Sequence, residues 1–259
     1  FNMSLFLGLS LGPVIGGIIK DHFSLQSSFF CMGLLALIGF FLCLFLLPPT
    51  RSERAIRHGK NPFSWKMLLN DRQVVGLFLF RFAYVACVGI IWGFIPLLAD
   101  MEFSASSSLI GVLVMLGVFI SGLIHVPMGY LADRMSKKLI VTAGGLLISY
   151  AILSFQWSGC IKDLVIATVI FGLGGGISMP ALMAMVVLKG SRINAMGSIM
   201  ALMTVAHSLG MLCGALVGGL MMDFFQLRGA FPLGAVIMMI CTALFLVSTY
   251  PQKQRINKN

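Results

Sequence analysis

Arg81 opens a stripe that could do chemistry. On a helix turning about 100° per residue, Tyr84, Val88 and Trp92 lie within about 60° of it. A guanidinium with two aromatics on one face suits a water-filled cavity that binds an anionic or aromatic small molecule. The same arginine could instead snorkel to lipid phosphates. His207 sits in the middle of another apolar run, on the face that carries Gly210, Gly214 and Gly218. With an ordinary pKa near 6.5 it could carry a proton, or it could hydrogen-bond across the glycine face. His125, beside Pro127, reads as structural.

Other candidates are weaker. Six cysteines (Cys31, Cys43, Cys87, Cys160, Cys213 and Cys241) form no CxxC pair, and all but Cys160 lie in apolar runs, so neither a metal site nor a disulfide framework is expected. No Asp or Glu falls mid-span, and no cluster of His, Asp, Ser or Cys suggests an enzyme. Gly172-Leu173-Gly174-Gly175-Gly176 lacks the preceding strand and the final glycine of a dinucleotide fingerprint and reads as close helix packing. The methionines between Met179 and Met211 could line an adaptable pocket for apolar ligands, but read first as lipid-facing filler.

The elements that must position these residues are set by composition. Of 259 residues, 59% are hydrophobic and 10% charged, against about 25% charged in soluble domains. Apolar runs of membrane-spanning length recur at 3–20, 28–47, 73–99, 107–131, 138–157, 163–188, 195–221 and 230–249. An all-α, multi-pass membrane protein with eight spans follows. The net charge of +10 is scattered over loops rather than gathered on one module, which excludes nucleic acid as a partner. With the charged connection 48–72 placed on the cytoplasmic side, fourteen Lys and Arg fall there and three fall opposite. Both ends of the chain are then cytoplasmic.

The chain also repeats itself. Shifted by 202 residues, Gly8, Gly12, Gly16, Gly17, Asp21, Phe23, Leu25 and Phe29 match Gly210, Gly214, Gly218, Gly219, Asp223, Phe225, Leu227 and Phe231. Glycine is costly inside helices unless close packing requires it, so shared glycines point to duplication rather than to apolar coincidence. Parallel repeats about an axis along the membrane normal are a transporter architecture. A unit of this length holds six spans. Two spans precede the basic connection and six follow it, so the whole should have twelve, eight of them present and four lost upstream of Phe1.

At this point the chain resembles the major facilitator superfamily over its full length. Gly8-x-x-x-Gly12-Pro13-x-x-Gly16-Gly17 resembles the glycine–proline signature of that family's fifth helix, often called the antiporter motif; in the second copy Ala215 stands for the proline. The run from Gly129 through Asp133, Arg134, Lys137 and Lys138 resembles its cytoplasmic loop motif between the eighth and ninth helices, with Ser136 where glycine is usual. The glycine helix is either a sealing surface between lobes or plain tight packing. The loop charges are either a gating latch or a positive-inside anchor.

The resemblance implies a helical bundle of that family's type, truncated at its N-terminus and similar to drug/proton antiporters. Residues 1–47 would close the first lobe, 48–72 would link the lobes, and 73–259 would form the second lobe with a short tail. The implied activity is secondary active transport by alternating access, as proton-coupled efflux of drugs or metabolites across the plasma (cytoplasmic, inner) membrane. The alternative is an importer of an organic anion or other metabolite with Arg81 as its ligand. A small-molecule substrate, protons and membrane lipid are the expected partners of a monomer; no cofactor or metal is expected.

Overall fold

The apolar runs become helices because a backbone in lipid must satisfy its own hydrogen bonds. The computed structural model describes residues 2–47, 68 and 70–250. The linker 48–72 therefore lies largely outside the described residues, as does the tail beyond 250. Eight long helices follow in order among the described residues: α1 (Asn2–His22), α2 (Leu25–Leu46), α3 (Arg72–Phe103), α4 (Ser107–Arg134), α5 (Lys137–Ser154), α6 (Ile161–Arg192), α7 (Met196–Phe225) and α8 (Ala230–Thr249). Short 3-10 turns at Phe155–Trp157 and Leu227–Gly229 cap α5 and lead into α8. No strand occurs among the described residues. The segments that include α2 to α8 are all long and apolar enough to cross a membrane, and the 21 residues of α1 rise about 30 Å. This is the all-helical, multi-pass bundle expected.

Several helices outrun their apolar stretches. At 1.5 Å per residue, the 32 residues of α3 and of α6 extend about 48 Å, well beyond a core of about 30 Å. Hydropathy marks only the part in hydrocarbon, whereas the hydrogen-bonded helix continues until a cap stops it. Asp71 starts α3 by accepting from the Gln73 and Val74 amides at 3.0 and 3.3 Å. Asp163 reaches back to the Gly159 and Cys160 amides at 2.8 and 3.0 Å to start α6. Residues with positive φ end α3, α6 and α7: Ser104 at 48°, Asn194 at 51° and Gln226 at 66°.

Within the six-helix unit, α3 packs on α7 and α8, α6 packs on α4 and α5, and α5 also meets α8. Phe80, Phe155, Phe231 and Phe245 are fully buried there, and they pair as Phe80–Phe245 and Phe155–Phe231 at 5.4 and 5.2 Å. Outside that unit, α1 lies along α4, and α2 packs on α1 with none of its residues buried. Ion pairs fasten both ends of the unit. Arg228 holds Glu102 through Nε at 3.1 and 3.0 Å and the Gln156 carbonyl at 2.9 Å. At the other end Lys189 meets Asp71 at 2.5 Å.

The repeat glycines of α7 show why no side chain is tolerated. A Cβ on Gly210, Gly214 or Gly218 would lie 2.5 Å from the Phe82 carbonyl, 2.1 Å from the Ala86 carbonyl or 2.4 Å from the Phe94 ring. Gly214→Val should therefore cost about 1–3 kcal/mol, the usual range for overpacking. The check is the thermal midpoint of the purified protein in detergent. Gly197→Val should leave it unchanged, because Gly197 has no neighbour within 4 Å among the described residues.

Candidate functional site

A cavity of about 350 Å³ lies between α1 and the bundle, lined by residues of α1, α3, α4, α6 and α7. The sequence stripe enters it as a unit: Arg81, Tyr84, Val88 and Trp92 all face the space, and His207 joins them from α7. Arg81 Nη1 donates to the Met179 sulfur at 3.0 Å, and Nη2 lies 3.2 Å from His207 Nδ1. Arginine has only donors, so His207 Nδ1 must accept, and a neutral His207 carries its proton on Nε2. Arg81 thus reaches inward to two uncharged acceptors instead of snorkelling out to lipid.

Tyr84 owes its place to the glycine run. Its ring stacks on Phe171 at 6.0 Å and 6°, and its hydroxyl lies 2.7 Å from where a Cβ on Gly175 would stand. The neighbouring glycines serve other helices. Gly172 and Gly176 admit the carbonyls of Gly117 and Ser121 on α4, and Gly174 admits Ile148 and the Gly144 carbonyl on α5. The run is therefore a hub where three helices approach α6.

Some lining residues are not flagged by sequence reasoning. His125, read as structural, lines the cavity while its Nδ1 meets the Ser121 carbonyl at 2.7 Å and its ring packs on Phe6 at 4.7 Å. Ser121 and Thr168 also line it. Of the two methionine readings, the lipid-facing one does not hold at Met179, Met185 and Met203, which are buried, and Met179 and Met183 face the cavity. An unbranched thioether fills irregular space between helices as readily as it faces lipid, so composition alone does not separate the two.

The two copies of the glycine motif sit differently. On α1, a Cβ at Gly17 would meet the Ser107 carbonyl at 2.3 Å, and one at Gly111 of α4 would meet the Pro13 carbonyl at 2.4 Å. Gly8, Gly12 and Gly16 have no neighbour within 4 Å among the described residues, and neither does Gly219 of α7. The α1–α4 contact ends at Asp21, whose carboxylate takes the Ser108 hydroxyl at 2.6 Å and the Ser108 and Ser107 amides at 2.7 and 3.1 Å. It thereby caps the positive N-terminus of α4. The Ser108 hydroxyl foremost, with these amides, brings the Asp21 pKa down to about 2. The group stays ionised above its ordinary pKa of 3.8, and the contact is lost only as pH falls through about 2, so Asp21 is a fixed charge rather than a proton carrier.

The loop-motif charges are held locally. Lys137 lies 3.9 Å from Asp133 and donates to the Ala132 carbonyl at 2.7 Å. Arg134 stacks over the Tyr130 ring at 4.3 Å, and Lys138 donates to the Thr249 carbonyl at the end of α8. Gly129 has no neighbour within 4 Å among the described residues.

A polytopic helical bundle with a polar-centred internal cavity defines a class of membrane protein, and the comparisons narrow it. The family profile described as Major Facilitator Superfamily matches residues 1–104 and 77–259, and the chain belongs to that family. An uncharacterized MFS-type transporter of Methanocaldococcus jannaschii is 22% identical over 245 residues, covering 93% of this chain and 62% of that protein. The MFS-type transporter SLC18B1 of Mus musculus is 28% identical over 233 residues, and that of Homo sapiens is 26% identical over 268. The chain spans between half and about three-fifths of the length of these relatives.

The α1–α4 contact is directly testable. Val114 lies behind it, facing both the cavity and the groove outside. In a cysteine-free background, Asp21→Ala should raise several-fold the rate at which Val114→Cys reacts with an impermeant maleimide applied from the α1 C-terminal side. An unchanged rate would mean that Asp21 does not hold the contact.

Proposed function

We propose that this chain forms the second lobe, with the closing helix pair of the first, of a secondary active transporter that moves a small molecule by alternating access. Residues 1–47 contribute that pair, 48–72 link the lobes, and 73–259 supply the six-helix lobe. The observation that carries the reading is the cavity itself. Its apolar and aromatic wall gathers around Arg81, Tyr84, Trp92 and His207, and it is bounded on one side by α1. Binding near mid-membrane between helical units, with access alternating from side to side, is how secondary transporters work.

For direction, the reading is proton-coupled efflux of drugs or metabolites. Its support is the glycine–proline helix lying against α4 and a histidine at the cavity wall. His207 would be the proton carrier. Protonating Nδ1 removes the acceptor that holds Arg81 Nη2, so proton entry and the arginine's position are linked. The second reading, import of an organic anion, is supported by Arg81 in the same wall. The charge asymmetry of the loops supports a cytoplasmic placement of both chain ends in the plasma membrane.

Proteoliposomes of the full protein, given proton gradients of either polarity, separate these readings. Under efflux by exchange, substrate moves against the proton gradient. His207→Gln should then abolish gradient-driven accumulation while sparing gradient-free counterflow. Loss of both together would assign His207 to structure, and accumulation along the proton gradient would favour import.

A further inference from the structure

Buried polar atoms without partners call for an explanation, because each costs free energy. Five side chains hold such an atom among the described residues. Three of them, Arg81 Nε, Ser121 Oγ and Thr168 Oγ1, belong to residues lining the one cavity described above, with the Tyr84 hydroxyl near Ser121 Oγ but not in a well-formed hydrogen bond to it. Ser121 and Thr168 are 4% and 2% exposed, so bulk water is not their partner. They come from three different helices, α3, α4 and α6, that converge on this space.

The charge points the same way. The two partners of Arg81, the Met179 sulfur and His207 Nδ1, are neutral acceptors. They orient the guanidinium without balancing its charge, and no Asp or Glu lines the cavity among the described residues. The titratable groups facing the space are Arg81, Tyr84, His125 and His207, none of them an anion at neutral pH. The rest of the wall is apolar, with Phe6, Val88, Trp92, Leu113 and Phe171 around the stripe. At about 350 Å³ the space lies at the small end of ligand pockets, which run from about 300 to 1,000 Å³.

We propose that this cavity is a receptor for a small organic monoanion. A carboxylate or similarly compact oxyanion would take the free Nε–H of Arg81 and the Ser121 and Thr168 hydroxyls, with an aromatic or branched apolar body against Trp92 and the Tyr84–Phe171 stack. The guanidinium edge only donates and each hydroxyl can turn its proton to the same point, a set that matches an oxygen anion, while the positive charge rejects an ammonium. A neutral amide of the same shape would leave the charge unbalanced. The inference rests on the transport reading only in taking the cavity as the ligand's place, and it holds for either direction of movement.

Equilibrium binding to the purified full protein in detergent, read by calorimetry without any gradient, is the test. The probes are phenylacetate, indole-3-acetate and 4-methylvalerate, each with its primary amide and the matching amine. At least one acid should bind saturably and about tenfold or more tightly than its amide and amine, the order expected of a charge-assisted bond. Arg81→Gln should erase that preference, and Ser121→Ala with Thr168→Val should weaken the acid more than its amide, because hydrogen bonds to a charged acceptor are the stronger. Unaltered thermal midpoints show that the variants are folded. Equal binding of acid, amide and amine, no acid binding at all, or an acid preference that survives Arg81→Gln overturns the proposal. The last two results would mean that another group of the protein neutralises Arg81 or that the anion sits elsewhere. Gradient-driven transport of uncharged or cationic compounds would then still support the transport reading, so the two can fail separately.

Discussion

Backbone-to-backbone contact between helices is the constraint on which this structure depends. In lipid the hydrophobic effect does not drive helices together, so association rests on close van der Waals approach. Here that approach is made by carbonyl oxygens occupying the space where a glycine side chain would begin. The Ala86 carbonyl sits over Gly214, that of Gly117 over Gly172, that of Ser121 over Gly176, and that of Ser107 over Gly17. Each contact fixes one helix against another with little rotational freedom, because a carbonyl fits only over the bare Cα. The cavity is what remains when α3, α4 and α6 are fixed in this way. Its wall residues are consequences of helix register rather than of any local sequence signal.

That distinction explains what could be read from the sequence. Spans were legible because hydrocarbon demands long apolar runs. The stripe of Arg81, Tyr84, Val88 and Trp92 was legible because one helix carries all four and its periodicity is fixed. The partners of Arg81 were not. Met179 and His207 lie 98 and 126 residues away, and only the packing of α6 and α7 against α3 brings them within reach. Ser121 and Thr168 give no signal at all in sequence, since a serine or threonine in a membrane helix commonly bonds its own preceding turn. Ser149, Ser178 and Thr249 do so here, each to the carbonyl four residues back.

The repeat was legible as a pattern but not as a set of contacts. Gly210, Gly214 and Gly218 lie against α3, while their counterparts Gly8, Gly12 and Gly16 meet nothing within 4 Å among the described residues. The relation inverts one residue further on, where Gly17 is packed on α4 and Gly219 is open. Each helix therefore shows only one of its two glycine faces engaged, and the engaged faces differ. Present contacts of either helix alone do not account for the shared pattern.

The chemistry of the Arg81 neighbourhood follows from the same economy of contact. A carboxylate about 4 Å away would attract the guanidinium by about 4 kcal/mol even at an effective dielectric of 20, and would hold it in one place. Thioether sulfur is a weak acceptor and neutral imidazole an uncharged one, so both aim the group and leave its charge unspent. An arginine in a membrane helix costs about 2.5–3.5 kcal/mol on insertion scales, and Arg81 has no carboxylate facing it among the described residues to offset that cost. Neutral packing would remove that cost, as replacement of buried ion pairs by apolar residues shows elsewhere. The retained charge, set among orphaned hydroxyls in a space of molecular size, makes sense when a passing ligand balances it. The same weak bonds that fail to neutralise Arg81 would also let it release that ligand.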